Sequence, residues 1–141
     1  MRRSLPILLL PIILAAGKRE PKRDLILLKA IEQVESGGRE DAVGDGGKAV
    51  GCLQIHPITV RDANRILGRR EFTLKDRLKR SRSYAIFWTI MDHYSKGASR
   101  ETMARRWNGG PRGEKKKATR SYWLKVKAMI RKLAKESSQK K

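Results

Sequence analysis

Three short motifs gather the residues best suited to chemistry: Glu35-Ser36-Gly37-Gly38, Gly51-Cys52-Leu53-Gln54-Ile55, and Trp107-Asn108-Gly109-Gly110-Pro111 with Tyr122-Trp123 following. They supply one carboxylic acid, hydroxyl and amide groups that donate and accept hydrogen bonds, and several aromatic surfaces. Cutting a sugar chain needs a proton delivered to the leaving oxygen, and so a carboxylic acid that stays protonated near neutral pH. Glu35 is expected in the last turn of an apolar-faced helix, where burial and the negative end of the helix dipole both oppose ionisation. Glu32 lies one turn back and competes for the role, but lacks the following Gly-Gly turn that would open the helix end to a cleft. Gly51 lets the backbone approach a ligand closely, Gln54 offers both donor and acceptor, and Asn108 could orient an N-acetyl group or an attacking hydroxyl. Each motif has a plainer reading when taken alone: an acid before a glycine stop, a buried strand end, a tight turn.

These groups must be positioned by helices. Asp24 can cap a first helix whose apolar residues Leu27, Ala30, Ile31 and Val34 recur at helical spacing, with Gly37-Gly38 as its end. Residues 37–51, which include Asp45-Gly46-Gly47, read as a loop or small hairpin that could wall a cleft. Pro57 suits the first turn of a second helix carrying Val60, Ala63 and Leu67, with Gly68 as its stop. A third helix is expected over residues 73–94, its stripe of Tyr84, Phe87, Trp88, Met91 and Tyr94 reading as core. Ser99 can cap a short fourth helix bearing Met103, Ala104 and Trp107; a loop over 108–117 follows it. The last helix, 119–135, buries Tyr122 or Trp123, then Val126, Met129, Ile130 and Leu133, and presents its lysines and arginines outward. The fold class is mainly α, a helical domain with a small loop or hairpin region forming a cleft.

The chain of 141 residues divides into a signal peptide at 1–17, a charged linker at 18–23, the working domain at 24–135 and a polar basic tail at 136–141. Met1-Arg2-Arg3, the apolar run 5–16 and Ala15-Ala16-Gly17 fit a secretory signal. The run is shorter than the roughly 20 residues of a spanning helix, and an uncleaved membrane anchor is the alternative. Either way the domain faces outward, and contact with membrane is expected only through this segment. Cys52 is the one cysteine, so no internal disulfide can form, and it reads as a small buried hydrophobe. His56 and His93 have no ligand cluster around them, so no metal is expected. No cofactor is expected either, and the sequence sets no oligomeric state.

The formal charge of +20 favours polyanions. It is spread over 65–82, 100–112 and 115–141 without forming a nucleic-acid motif, so nucleic acid is not the expected partner. Most of these cations read as lining solvated helix faces, with attraction to an anionic cell wall as the functional reading.

From Leu27 to Ile130 the order and spacing of the motifs resembles the lysozyme-like superfamily. The similarity is to bacterial lytic transglycosylase domains of the SLT type, with Glu-Ser-Gly, Gly-x-x-Gln-Ile and a Tyr/Trp-Asn-x-Gly segment. It extends to invertebrate-type lysozymes, which add Asn-Gly-Gly-Pro-x-Gly and Tyr-Trp-x-Lys-Val, matched here by 108–113 and 122–127. The resemblance implies a lysozyme-like fold and cleavage of the β-1,4 bond between N-acetylmuramic acid and N-acetylglucosamine in peptidoglycan glycan strands. By position it makes Glu35 the general acid, with Ser36, its supporting neighbour, grouped with Gln54 and Asn108 as substrate-binding residues. Asp45 stands where invertebrate-type lysozymes carry a second catalytic carboxylate; Asp41 is its nearest competitor, and a plain Asp-Gly turn is the other reading of Asp45. Without that second acid, Glu35 alone could protonate the leaving oxygen and then deprotonate the sugar's own 6-hydroxyl, the transglycosylase route to a 1,6-anhydro end. Those lysozymes are rich in disulfides, so with a lone Cys52 this framework must rest on core packing. The competing classes are a catalytically inactive basic wall-binding module and a basic helical domain that binds nucleic acid.

Overall fold

A computed structural model describes residues 23–141. The signal segment and nearly all of the expected linker therefore lie outside the described residues. Five α-helices are present among them: α1 (Leu25–Ser36), α2 (Pro57–Leu67), α3 (Arg80–Tyr94), α4 (Arg100–Gly109) and α5 (Arg120–Gln139). A two-stranded antiparallel hairpin, β1 (Val43–Gly44) and β2 (Ala49–Val50), pairs Val43 with Val50 and Gly44 with Ala49. The fold is mainly α, and none of its described helices is long and apolar enough to cross a membrane.

The helix boundaries follow local chemistry. The Asp24 carboxylate accepts from the Leu27 amide at 3.2 Å and so satisfies one of the unpaired donors that begin α1. Gly37 ends the helix in the left-handed conformation, φ 65°, with its amide bonded to the Gln33 carbonyl. Pro57 opens α2 and Gly68, at φ 68°, closes it. The Ser99 hydroxyl caps α4 by accepting from Thr102 N. Leu27, Leu28, Ile31, Leu53, Ile55, Phe87, Met91 and Val126 form the centre of one core, to which every α-helix contributes. Burying an aliphatic or phenyl side chain of this size contributes about 1.5–3 kcal/mol, and α1 lies along α5 at its heart.

Three boundaries differ from the sequence expectation. The third helix begins at Arg80, not near residue 73, because Thr73 and Asp76 form a reciprocal capping box on a separate 3₁₀ turn, Leu74–Leu78. Lys79 then adopts an extended conformation, φ −113° and ψ 120°, that breaks the two apart. Asn108 and Gly109 form the last turn of α4, and Gly110 ends it at φ 88°. The last helix runs on to Gln139 through most of the expected tail, since no glycine or proline interrupts 120–139.

Arginines also do more than line solvent. Arg77 is buried, and its guanidinium donates to the carbonyls of Leu74, Lys48 and Ile55, joining the 3₁₀ turn to the hairpin. Arg105 is buried as well, donating to the Thr119 hydroxyl, the Lys116 carbonyl and Glu101. With Cys52 as its single cysteine, this chain crosses its loops with guanidinium groups. Each satisfies several oxygens at once, three backbone carbonyls at Arg77 and a hydroxyl, a carbonyl and a carboxylate at Arg105.

Candidate active site

Along α1, Leu27, Ile31 and Glu35 follow one another at four-residue steps and therefore share a face. The first two are fully buried. In the last turn that stripe reaches the end of the core, and Glu35 is half-buried on the wall of a cleft of about 790 Å³, a size typical of ligand sites. Burial raises its carboxyl to about pKa 7; the Tyr122 hydroxyl, donating to Oε1 at 2.8 Å, acts the other way. That bond reaches across 87 positions of sequence, made possible because α5 lies along α1.

Glu32, the competing acid, is held elsewhere. It follows Leu28 on the neighbouring stripe, is buried, and takes Arg80 Nε at 2.6 Å and the Tyr84 hydroxyl at 2.6 Å. Both of its oxygens are spent on α3, and it does not line the cleft.

The opposite wall is the hairpin with the segment after it. Gly51, at φ 85°, packs so tightly on the 3₁₀ turn that a Cβ there would lie 1.7 Å from the Arg77 carbonyl oxygen. Its amide donates to the Ala42 carbonyl. Gln54 adopts a left-handed φ of 51°, and its side-chain nitrogen donates to the carbonyls of Ala42 and Gly51. Gln54 therefore lines the cleft while its amide donors brace the hairpin from within. Asp45 sits at the hairpin turn, φ 46°, also on the cleft wall, exposed, with Oδ2 3.4 Å from His56 Nε2. Asp41 is exposed and does not line this cleft.

Ser36 stands apart from the other expected substrate-binding residues. Its hydroxyl donates to the Cys52 carbonyl at 2.8 Å and accepts from the amides of Gly38 and Arg39. It is absent from the cleft lining, and its place is at the join between the end of α1 and the 51–55 segment. The hydroxyl thus ties the end of α1, which carries Glu35, to the segment that carries Gln54. Cys52 itself is buried; burial and the neighbouring Glu32 carboxylate raise its thiol to about pKa 11, which disfavours the nucleophilic thiolate.

The remaining sides come from α2, the end of α3 and the end of α4. Trp107 lies on the cleft and packs against Phe87 with ring centroids 4.9 Å apart, and exposed Asn108 follows it at the rim. Ile55, Ile90 and Met91 supply apolar surface. Two polar assemblies on the wall escaped the sequence reading. Asp62 accepts from Arg65 at 2.8 Å and from the Tyr94 hydroxyl at 2.8 Å, while Arg65 donates to that hydroxyl at 2.9 Å. Arg106 grips Glu114 through two bonds of 2.9 Å, holding that carboxyl down at about pKa 2, and also donates to the Tyr94 carbonyl. Tyr122 was one of two candidates, with Trp123, for a buried position before Val126, but its partner lies near the other end of the chain. Among the described residues no group of three or more His, Cys, Asp or Glu side chains could hold a metal ion.

The assembled site offers one carboxyl poised to titrate near neutrality, an aromatic surface at Trp107, and an open groove with apolar and amide walls. Such a groove suits a polymer whose repeating units carry apolar ring faces and amides. A family model described as the transglycosylase SLT domain matches residues 12–130. No curated protein and no solved structure matches the chain.

Proposed function

The chain belongs to the transglycosylase SLT domain family, which cleaves peptidoglycan in the cell envelope, and from that premise we propose that it is an active lytic transglycosylase with Glu35 as its acid and base. The observation carrying this reading is the half-buried Glu35 carboxyl, raised to about pKa 7 on the wall of the cleft. In its protonated form it gives a proton to the glycosidic oxygen leaving with N-acetylglucosamine, and the bond from that oxygen to C1 of N-acetylmuramic acid breaks. The cation left at C1 draws on the acetamido group of the same sugar. The Glu35 carboxylate then takes the proton of the 6-hydroxyl as O6 bonds to C1, closing a 1,6-anhydro ring and restoring the acid. The Tyr122 hydroxyl stabilises the carboxylate between the two steps. Trp107 supports a sugar face, and Gln54 and Asn108 offer amide contacts to the strand.

Hydrolysis is the second reading, because Asp45 lines the same cleft. A retaining pair requires carboxyls about 5–5.5 Å apart. Mass spectrometry of muropeptides released from purified peptidoglycan separates the two. Anhydro ends are expected, with release lowered about 10²–10⁴-fold in Glu35→Gln, the range general acid–base catalysis supplies. Reducing ends that disappear in Asp45→Asn would establish hydrolysis instead. No release by the folded parent protein would favour an inactive wall-binding module.

A further inference from the structure

Helix α5 carries six cations, Arg120, Lys125, Lys127, Arg131, Lys132 and Lys135, against one carboxylate, Glu136. All six are exposed, and among the described residues none has an ion-pair or hydrogen-bond partner. Tyr122, Val126, Met129, Ile130 and Leu133 turn the other side of the helix into the core. Lys127, Arg131 and Lys135 succeed one another at four-residue steps, a ladder rising about 6 Å per rung. Like charges at this spacing destabilise a helix, and nothing in the fold offsets them. By contrast, Arg77, Arg80, Arg82, Arg100, Arg105 and Arg106 are all engaged by carboxylates or carbonyls.

We propose that this outer face of α5 binds a phosphodiester-linked anionic polymer of the cell envelope, of the glycerol-phosphate type. The choice of an envelope polymer rests on the family's peptidoglycan substrate and not on the chemistry assigned to Glu35. Regularly spaced, unpaired cations complement a chain with one negative charge per repeat. Leu124 is the one exposed large apolar side chain on the face, too little to insert into a bilayer. Tyr122 and Trp123 pack against the core, leaving no aromatic platform on which nucleic-acid bases could stack. Because Tyr122 reaches Glu35 from the core side of the same helix, a polymer on the outer face would hold the enzyme at the wall without entering the cleft.

The test uses the full chain as Glu35→Gln, so that binding is read without cleavage, and sediments it with sacculi bearing covalently attached poly(glycerol phosphate) or with the same sacculi stripped by hydrogen fluoride. Binding is expected to fall at least about tenfold on stripping and again with Lys127→Gln/Arg131→Gln/Lys135→Gln. That variant should flatten the plot of log affinity against log salt by about 2, as expected for three lost contacts on a single-stranded polyanion. It relieves the ladder and should unfold no earlier than its parent on a thermal scan. Placed in the Glu35 background, the three substitutions should leave product release from soluble glycan strands unchanged, so a failure of the catalytic reading is seen separately from a failure of binding. Equal binding to stripped sacculi, equal binding by the variant, or stronger competition by duplex DNA or phosphatidylglycerol vesicles than by free poly(glycerol phosphate) would overturn the proposal.

Discussion

At Glu35, burial and hydrogen bonding act in opposite directions: desolvation lifts the carboxyl to about pKa 7 while the hydroxyl of Tyr122 favours its ionised form. The first step of the proposed reaction needs the proton in place, so activity should fall as pH rises through about 7. Tyr122→Phe removes the bond that favours the carboxylate, so the descending limb should move to higher pH, and a pH–rate profile reads this directly. An unmoved limb would reduce Tyr122 to packing. The same shift governs stability. The native carboxyl holds its proton up to about pH 7, whereas the unfolded chain releases it near the ordinary value of 4.5, so the native state binds the extra proton between those values and loses stability as pH climbs through them. The shift corresponds to roughly 3 kcal/mol at about 1.4 kcal/mol per pK unit. Glu35→Gln cannot ionise, so its stability relative to the parent should rise by roughly 3 kcal/mol between pH 4 and pH 8, the net shift already including the bond to Tyr122. Urea unfolding at the two pH values measures the difference; a constant gap would mean that Glu35 titrates near its ordinary value.

Among the elements, the hairpin shows how the cleft is held open. Gly51 meets the Arg77 carbonyl where a Cβ would lie 1.7 Å away, and its φ of 85° is strained for any other residue. Gly51→Ala should therefore cost at least about 2 kcal/mol, seen as a lowered melting temperature, and should weaken substrate binding as the hairpin shifts away from Glu35. What was legible in the sequence belongs to the same level. Asp24, Gly37, Pro57, Gly68 and Ser99 mark helix ends through bonds within a few residues, and the structure uses each in that role. The third helix was legible from residue 73 on, but not its division into a 3₁₀ turn and a helix, because the break at Lys79 accompanies long-range packing: the Ser83 hydroxyl on the Arg77 carbonyl, and the Arg77 guanidinium on the hairpin. The pairing of Tyr122 with Glu35 and the group of Asp62, Arg65 and Tyr94 were hidden for the same reason. Their partners come from different helices, and local periodicity records only which side of a helix faces inward.

For the molecule as a whole, the formal charge of +20 sets two effects of salt against each other. Ion pairs such as Arg100 with Asp24 and Arg106 with Glu114 stabilise the fold and weaken on screening, but those two pairs are partly shielded, and exposed pairs contribute only about 0–1 kcal/mol each. Guanidinium bonds to backbone carbonyls, as at Arg77 and Arg105, involve no partner charge and are little affected. The repulsion among exposed lysines and arginines, including those on α5, acts through water and weakens as the Debye length falls from roughly 30 Å at 0.01 M to 8 Å at 0.15 M, most for pairs farther apart than that length. Relief of self-repulsion should win. Raising sodium chloride across that range is expected to stabilise the fold by on the order of 1 kcal/mol, a rise of several degrees in melting temperature for a domain of this size. An uncharged osmolyte at matched osmolality separates screening from general exclusion effects. The same salt should release the protein from intact walls, so stability and wall retention should move in opposite directions along one titration. A melting temperature that fell with salt would mean that the ion pairs, and not the unpaired cations, dominate the electrostatics of the folded state.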